Sequence, residues 1–310
     1  IDDAPKVFHI PGRDKPWSPR NFDNKFKGPM SVRKALAESR NTIAVDVLER
    51  VGIEPAREFA ARVGVTSTLV DNFTLALGSS EMTTMEIANT FATFASGGLF
   101  AEPVFVLRIE GGGGELLFSH TPASKRVISA ELAYVMTSLL RSVVTEGTAK
   151  AALAKWEHPA AGKTGTSNGP KDTWFVGYTA YLTAAVYVGH DEPRELGKKE
   201  GGGKTALPIW ADFMRAAHAG RQVKAFAEPP GLVHARIVPE SGLLAPADAA
   251  KTLDEVFLPG TAPTQQASGE GLGSSDWALK QYEESNENPA EPPTEEIVGN
   301  PDGSASGDEF

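Results

Sequence analysis

No cysteine occurs in the 310 residues, which excludes disulfides, zinc–thiolate centres and a cysteine nucleophile. The same absence fits a location outside the cytoplasm without requiring one. No run of about 18 apolar residues is present, so no membrane-spanning helix is expected. The opening IDDAPKVFHIPGRDKPW has the pattern of neither a signal peptide nor an anchor and reads as mid-domain sequence. The six histidines form no HExxH or similar pair, and neither a metal nor a cofactor is expected. A basic face is missing as well. The formal charge of −10 is concentrated at one end: from about residue 266 onward there are about 11 acidic residues and a single lysine, Lys280, which leaves about 29 basic against about 29 acidic residues in the body. A body so balanced offers no footprint for nucleic acid.

What is there supports a folded core. Hydrophobic residues make up 41% of the chain, and its length allows one large domain or two modest ones. Residues 1–30 are rich in Pro, Asn, Asp and Gly and read as irregular connecting structure. Helices follow. SVRKALAE has Ser31 in an N-cap position, TIAVDVLERVG stops at Gly52, and EPAREFAARVG carries Pro55 in its first turn and stops at Gly64. TTMEIANTFATFASGG opens with Thr83 and Glu86 at capping-box spacing. SAELAYVMTSLLRSVV has apolar residues at helical spacing.

From residue 159 the period changes to alternation. Strands are expected near 160–166, 173–180 and 182–189, as antiparallel neighbours with a tight turn at Ala180 and Tyr181. LPIWADFMRAAHAG then forms a further helix, with Pro208 early and Gly220 at its end. A block of helices followed by hairpin strands argues for an α+β architecture rather than a doubly wound sheet. Residues 228–265 read as extended segments with turns, and 266–310 as an acidic disordered tail.

The chemistry concentrates in AAGKTGTSNGPKDTWFVGYTAYLTAAVYVG. A lysine followed by hydroxyls makes a receptor for a carboxylate lying beside a reacting carbonyl. Gly165 clears the strand backbone for a ligand, so that a free N–H can face an oxyanion. Alternation sends Lys163 and Thr164 to opposite faces, and both reach one cleft only on a twisted edge strand. KTGT alone is short enough to be an ordinary solvent-facing strand end. A second cluster, ESRNT, sets Ser39 and Asn41 two apart between two helices; taken by itself it is helix capping, with Asn41 as the cap of a helix beginning at Thr42.

Read together and in order, these stretches resemble the transpeptidase domain of class A, bifunctional penicillin-binding proteins. The likeness runs through WSPRNFDNKFKGPMSVRKALAESRN, LALGSSEMTTMEIANTFATFASGG, VVTEGTAKAA, the KTGT segment, GGGKTALPIWADFM and FLPGTAPT, from near residue 1 to about 265. It implies the penicillin-binding protein/β-lactamase-like fold, an antiparallel sheet flanked by helices on both faces, with residues 1–227 as the transpeptidase domain and 228–265 as the family's extended C-terminal segment. It implies Ser39 as a proton relay, Asn41 as holder of the lysine and of the substrate amide, and Lys163 as the group that tunes Ser39. Thr164, Gly165, Thr166 and Ser167 would bind the substrate or β-lactam carboxylate, with the Thr166 N–H as half of an oxyanion hole. Lys171 and Asp172, for which a turn or ion pair suffices, fall near the cleft by the same likeness, which makes Asp172 and Trp174 groove candidates. The implied reaction is acyl transfer from the D-Ala-D-Ala end of a peptidoglycan stem peptide to a serine and then to an amine, with β-lactams as ligands, on the outer side of a bacterial inner membrane. The likeness also implies a parent with a membrane anchor and a glycosyltransferase domain, neither of them in this chain.

One element of that pattern is not met. The family's nucleophile sits in S-x-x-K on a helix, where residues three apart share a face. The chain has one such spacing, Ser31 to Lys34. Ser31 precedes Ser39 by eight residues, about 12 Å on a continuous helix, too far for the required hydrogen bond. Ser31 is read as an N-cap, and no nucleophile is assigned. The chain is expected to be an N-terminally truncated transpeptidase that is inactive alone. The alternatives are a non-catalytic β-lactam or peptide-binding module and a serine β-lactamase, for which no deacylating carboxylate can be assigned. GKKEGGGKT fails the phosphate-loop register because Lys198 stands where the first glycine is required. EGGGGELL reads as a hairpin turn.

Overall fold

Capping residues set the helices where the sequence marks them. The computed structural model describes residues 1–10, 15–197 and 200–267; the acidic tail therefore lies, from residue 268 on, outside the described residues. Strands β1 (Asp2–Asp3) and β2 (Gly28–Pro29) pair antiparallel, and Phe8 and Trp17 form an antiparallel bridge, in a region read as irregular. Helix α1 (Val32–Glu38) starts on Ser31, whose Oγ accepts the Lys34 N–H at 3.2 Å, and ends at Ser39. Helix α2 (Asn41–Val51) ends on Gly52, and α3 (Ile53–Arg62) follows at once. A 3-10 turn at Phe73–Leu77 leads to α4 (Thr84–Ala95), where the Thr83/Glu86 capping box is formed in both directions.

Four short strands come next: β3 (Leu99–Ala101), β4 (Arg108–Glu110), β5 (Leu116–Ser119) and β6 (Ser124–Arg126). β3 pairs with β6, and β4 with β5 across the glycine turn. Helix α5 (Ala130–Thr145) precedes the main sheet of β7 (Ala161–Thr166), β8 (Thr173–Tyr178) and β9 (Thr183–Val188), antiparallel in that order. Helix α6 (Ala206–Ala217) and a hairpin of β10 (Val233–Ile237) and β11 (Leu253–Phe257) complete the described chain.

The sheet carries helices on both faces because its central strand is apolar on both sides. On one face Phe175 packs against Trp210 of α6, with ring centroids 5.0 Å apart, together with Leu207 and Met214. On the other, Tyr178 lies among Phe91 and Phe94 of α4 and Ala133 and Leu140 of α5, and its hydroxyl meets Thr137 Oγ1 at 2.9 Å. The architecture is the α+β arrangement expected. The C-terminal hairpin is tied to α1: both carboxylate oxygens of Glu255 accept from the Arg33 guanidinium, which also donates to the Ser138 carbonyl at 2.7 Å. No helix among the described residues is long and apolar enough to cross a membrane, and no group of three or more metal-binding side chains is found among them.

Candidate active site

β7 is an edge of the sheet, and pairing fixes which way its side chains point. Lys163 lies opposite Val176 and Thr164 opposite Phe175, so the two side chains leave opposite faces, as strict alternation requires. They still belong to one site because the lysine curls along the edge: Nζ donates to the carbonyl oxygen of Thr164 at 3.0 Å and to Ser39 Oγ at 2.7 Å. Two polar clusters 124 residues apart thus meet through a single hydrogen bond.

Ser39 reaches this position at a conformational cost. It ends α1 with φ 58° and ψ 50°, the left-handed region, where its N–H and that of Arg40 return to the Leu36 and Ala35 carbonyls. Glycine commonly occupies such a helix end, and a serine side chain there costs roughly 1–2 kcal/mol. Among the described residues only Asn24 and Ser39 combine a side chain with positive φ.

Lys163 is half-buried as a residue, but its ammonium end is surrounded by protein and no described carboxylate pairs with it. Burial pulls its pKa from the usual 10.5 to about 8. A lysine in that range holds a working fraction of neutral amine near neutral pH while keeping a charge that an anionic ligand can meet.

Thr164 Oγ1 shares a hydrogen bond of 2.8 Å with Thr148 Oγ1, and the Thr148 N–H donates to the Ala37 carbonyl at 3.1 Å. Thr148 therefore ties the end of α1 to the edge strand, with Gly147 set so tightly on Ala37 that a Cβ there would lie 2.1 Å from its oxygen. The sequence by itself gives no residue of VVTEGTAKAA a role; a glycine between two threonines is the signal it offers. Thr166 Oγ1 accepts the Gly202 N–H at 3.0 Å, and Gly202 lies against the Gly165 and Trp174 backbones, where a Cβ would stand 2.4 Å from the Trp174 oxygen. A Cβ on Gly165 would stand 3.1 Å from Trp174 Cβ, so cross-strand packing by itself favours a bare residue there.

The remaining sequence candidates divide. Asn41 does not reach Lys163: its side-chain amide donates to the Arg20 carbonyl at 2.7 Å. Nor is it a cap, since α2 begins at Asn41 itself and Asn21, from 20 residues upstream, accepts the Asn41 N–H at 2.8 Å. Ser167 stabilises the turn into β8, its Oγ accepting from the Lys171 and Asp172 N–H groups at 3.2 and 2.9 Å. Asp172 forms no ion pair with Lys171; it accepts from the Tyr187 hydroxyl at 2.8 Å, and the Tyr187 ring lies 4.8 Å from that of Trp174. Ser31 is the N-cap of α1, facing the Lys34 backbone rather than the cleft.

Comparison with known proteins gives one consistent result. The family description "Penicillin binding protein transpeptidase domain" matches residues 5–215. Penicillin-binding protein 1A of Pseudomonas aeruginosa is 36% identical over 293 residues, 78% of this chain and 36% of its own length. Its counterpart in Aquifex aeolicus is 35% identical over 263 residues, 85% of this chain and 36% of its own length. The chain thus spans about a third of the curated relatives it matches. Among solved structures, penicillin-binding protein 1A from Haemophilus influenzae superposes with a TM-score of 0.81 at 30% identity, covering 86% of this chain and 45% of that one. The PonA1 protein of Mycobacterium tuberculosis, solved with penicillin V, has the same fold at a TM-score of 0.64 and 24% identity, over 74% of this chain and 65% of that one.

Proposed function

This chain belongs to the penicillin-binding protein transpeptidase family, and from that premise we propose that it forms the Ser39/Lys163 side of a peptidoglycan D,D-transpeptidase cleft. The observation that carries the reading is the 2.7 Å contact between Lys163 Nζ and Ser39 Oγ. In the reaction a serine hydroxyl attacks the D-Ala-D-Ala carbonyl, the terminal D-alanine leaves, and an amine of a second stem peptide takes the acyl group. Proton traffic at such a centre needs a group near neutrality, and a lysine with a pKa of about 8 beside a hydroxyl relay supplies one. The carboxylate of the substrate, or of a β-lactam, takes the place of the missing counter-ion of Lys163, with the Thr164 and Thr166 hydroxyls as donors. Asn41, turned to Arg20, would have to swing its amide to touch substrate. The acting protein works on the outer face of a bacterial inner membrane, where its substrate lies.

These 310 residues do not supply the acylated serine in this reading, because the one S-x-x-K serine caps a helix. Labelling with fluorescent penicillin tests the proposal in two arms. The isolated chain should bind the antibiotic reversibly without a covalent band, and the chain joined at its N-terminus to a relative's S-x-x-K segment should be labelled. Covalent labelling of the isolated chain, lost in Ser31→Ala, would place the nucleophile at Ser31 and overturn the assignment. Absence of any binding in both arms would overturn the functional reading itself.

A further inference from the structure

Something must hold Ser39 in the left-handed region, since a strained residue persists only where its surroundings over-determine it. The next residue is the place to look. Arg40 is 5% exposed and Asp3 is fully buried. Arg40 Nε and Nη2 each reach Asp3 Oδ2 at 2.8 Å, Nη1 donates to Asp23 Oδ2 at 2.9 Å, and Nη2 also donates to the Lys25 carbonyl. Asp3 is saturated in turn: it accepts from Asn21 Nδ2 at 2.7 Å, from the Lys27 N–H at 3.0 Å and from the Thr42 hydroxyl. The Asn21 side-chain oxygen Oδ1 accepts the Asn41 N–H at 2.8 Å and so serves as the cap that α2 lacks. Residues 40, 41 and 42 are each held by this one buried polar cluster, and Ser39 is the residue that joins it to α1.

We infer that the buried Asp3–Arg40 pair is the positioning device of the cleft: it fixes the turn between α1 and α2 so that Ser39 Oγ closes over Lys163. The inference rests on the transpeptidase reading for its meaning and on geometry alone for its content. Asp3 lies before residue 5, where the family match begins. Arg40 is not a catalytic residue, because its guanidinium nitrogens are engaged with Asp3, Asp23 and the Lys25 carbonyl. The fork geometry is what recommends arginine here: Nε, Nη1 and Nη2 reach acceptors spread around one rigid plane, whereas a lysine offers its donors from a single point. If the pair is lost, the turn relaxes, Ser39 withdraws and water reaches the lysine ammonium.

The test uses the whole 310-residue chain and reads Lys163 directly. The chain is labelled biosynthetically with carbon-13 lysine, which leaves the Nζ hydrogen bonds intact, and the lysine Cε resonances are titrated by NMR, with Lys163→Arg identifying the resonance. In the parent chain Lys163 should titrate near about 8. In Asp3→Asn and Arg40→Gln that still unfold cooperatively, the midpoint should move towards 10.5, cutting the neutral fraction at about pH 8 by on the order of 100-fold. Arg40→Lys keeps the charge facing Asp3 and loses the reach to Asp23 and Lys25, so it should show part of the same shift. A purely structural pair would lower stability and leave the midpoint near 8 in every folded variant, which would overturn the inference. Should the first two variants fail to fold, Arg40→Lys decides alone, a raised midpoint supporting the inference and an unchanged one refuting it. Penicillin binding is a separate readout: its absence would remove the functional reading while leaving the Lys163 shift in place.

Discussion

Replacing Lys163 by methionine puts the electrostatics of the cleft to a quantitative test. Nζ has two hydrogen-bond acceptors, Ser39 Oγ and the Thr164 carbonyl, and burial is the cause of its pKa falling from 10.5 to about 8. At about 1.36 kcal/mol for each pH unit, that gap amounts to on the order of 3 kcal/mol working against folding while the lysine is charged. The folded pKa lies below the unfolded one, so the unfolded chain binds more protons between about 8 and 10.5, and stability climbs with pH across that window. Below about 8 the whole cost is present; above 10.5 it has gone. Methionine keeps the length of the side chain and removes the charge, but it also removes two hydrogen bonds, together about 1–3 kcal/mol net. The variant should therefore be more stable than the parent by about 1 kcal/mol at about pH 7 and less stable by about 2 kcal/mol at about pH 10.5. Urea unfolding by tryptophan fluorescence at intervals between those pH values measures the difference. A difference that stays constant with pH would refute burial as the source of the shift.

Ser39→Gly and Ser39→Ala lose the same hydroxyl, but glycine adopts φ 58° freely, so the glycine variant should exceed the alanine variant by about 1 kcal/mol in thermal unfolding, less what its looser unfolded chain takes back. Glu86 accepts from the backbone and hydroxyls of Thr66, Ser67 and Thr83, and the Ser67 hydroxyl first among these holds its carboxyl far below the usual 4.5. That stabilisation is present above about pH 4.5 and fades as pH falls towards the lowered value, so Glu86→Gln should lower the melting temperature at neutral pH and flatten its dependence below about pH 4. Glu255→Ala strands the buried Arg33 guanidinium and should cost about 3–5 kcal/mol; limited proteolysis should then open the 233–257 hairpin first.

Local signals carried most of the fold. Ser31, Thr83 with Glu86, Gly52 and the change to alternation after residue 159 each act over a few residues, and each stands where the sequence puts it. The Ser39–Lys163 contact was also legible, through likeness to a family rather than through spacing. What escaped is long-range polar chemistry. Nothing in the neighbourhood of Asp3 announces that it will be fully buried under Arg40, and nothing in TEGTAK says that Thr148 will bridge α1 and β7. Asn41 is a residue type that suits both a helix cap and an active site, and here its amide donates to the Arg20 carbonyl because residues 20–27 fold back over the start of α2.

The two unfavourable features of the cleft, a serine at positive φ and a buried ammonium with no counter-ion among the described residues, occur in the same hydrogen bond. Each costs on the order of 1–3 kcal/mol, a large share of the stability of a domain this size. Neither helps the fold: glycine would end α1 better, and an apolar side chain would suit the half-buried edge of β7 better. They can coexist because the elements that carry them are held from elsewhere, α1 by the Arg33–Glu255 pair and its packing on α5, and β7 by its ladder with β8 and the core behind Phe175. A rigid frame that tolerates strain at one contact is the arrangement expected of a contact that serves chemistry, as the proposed transpeptidase cleft requires.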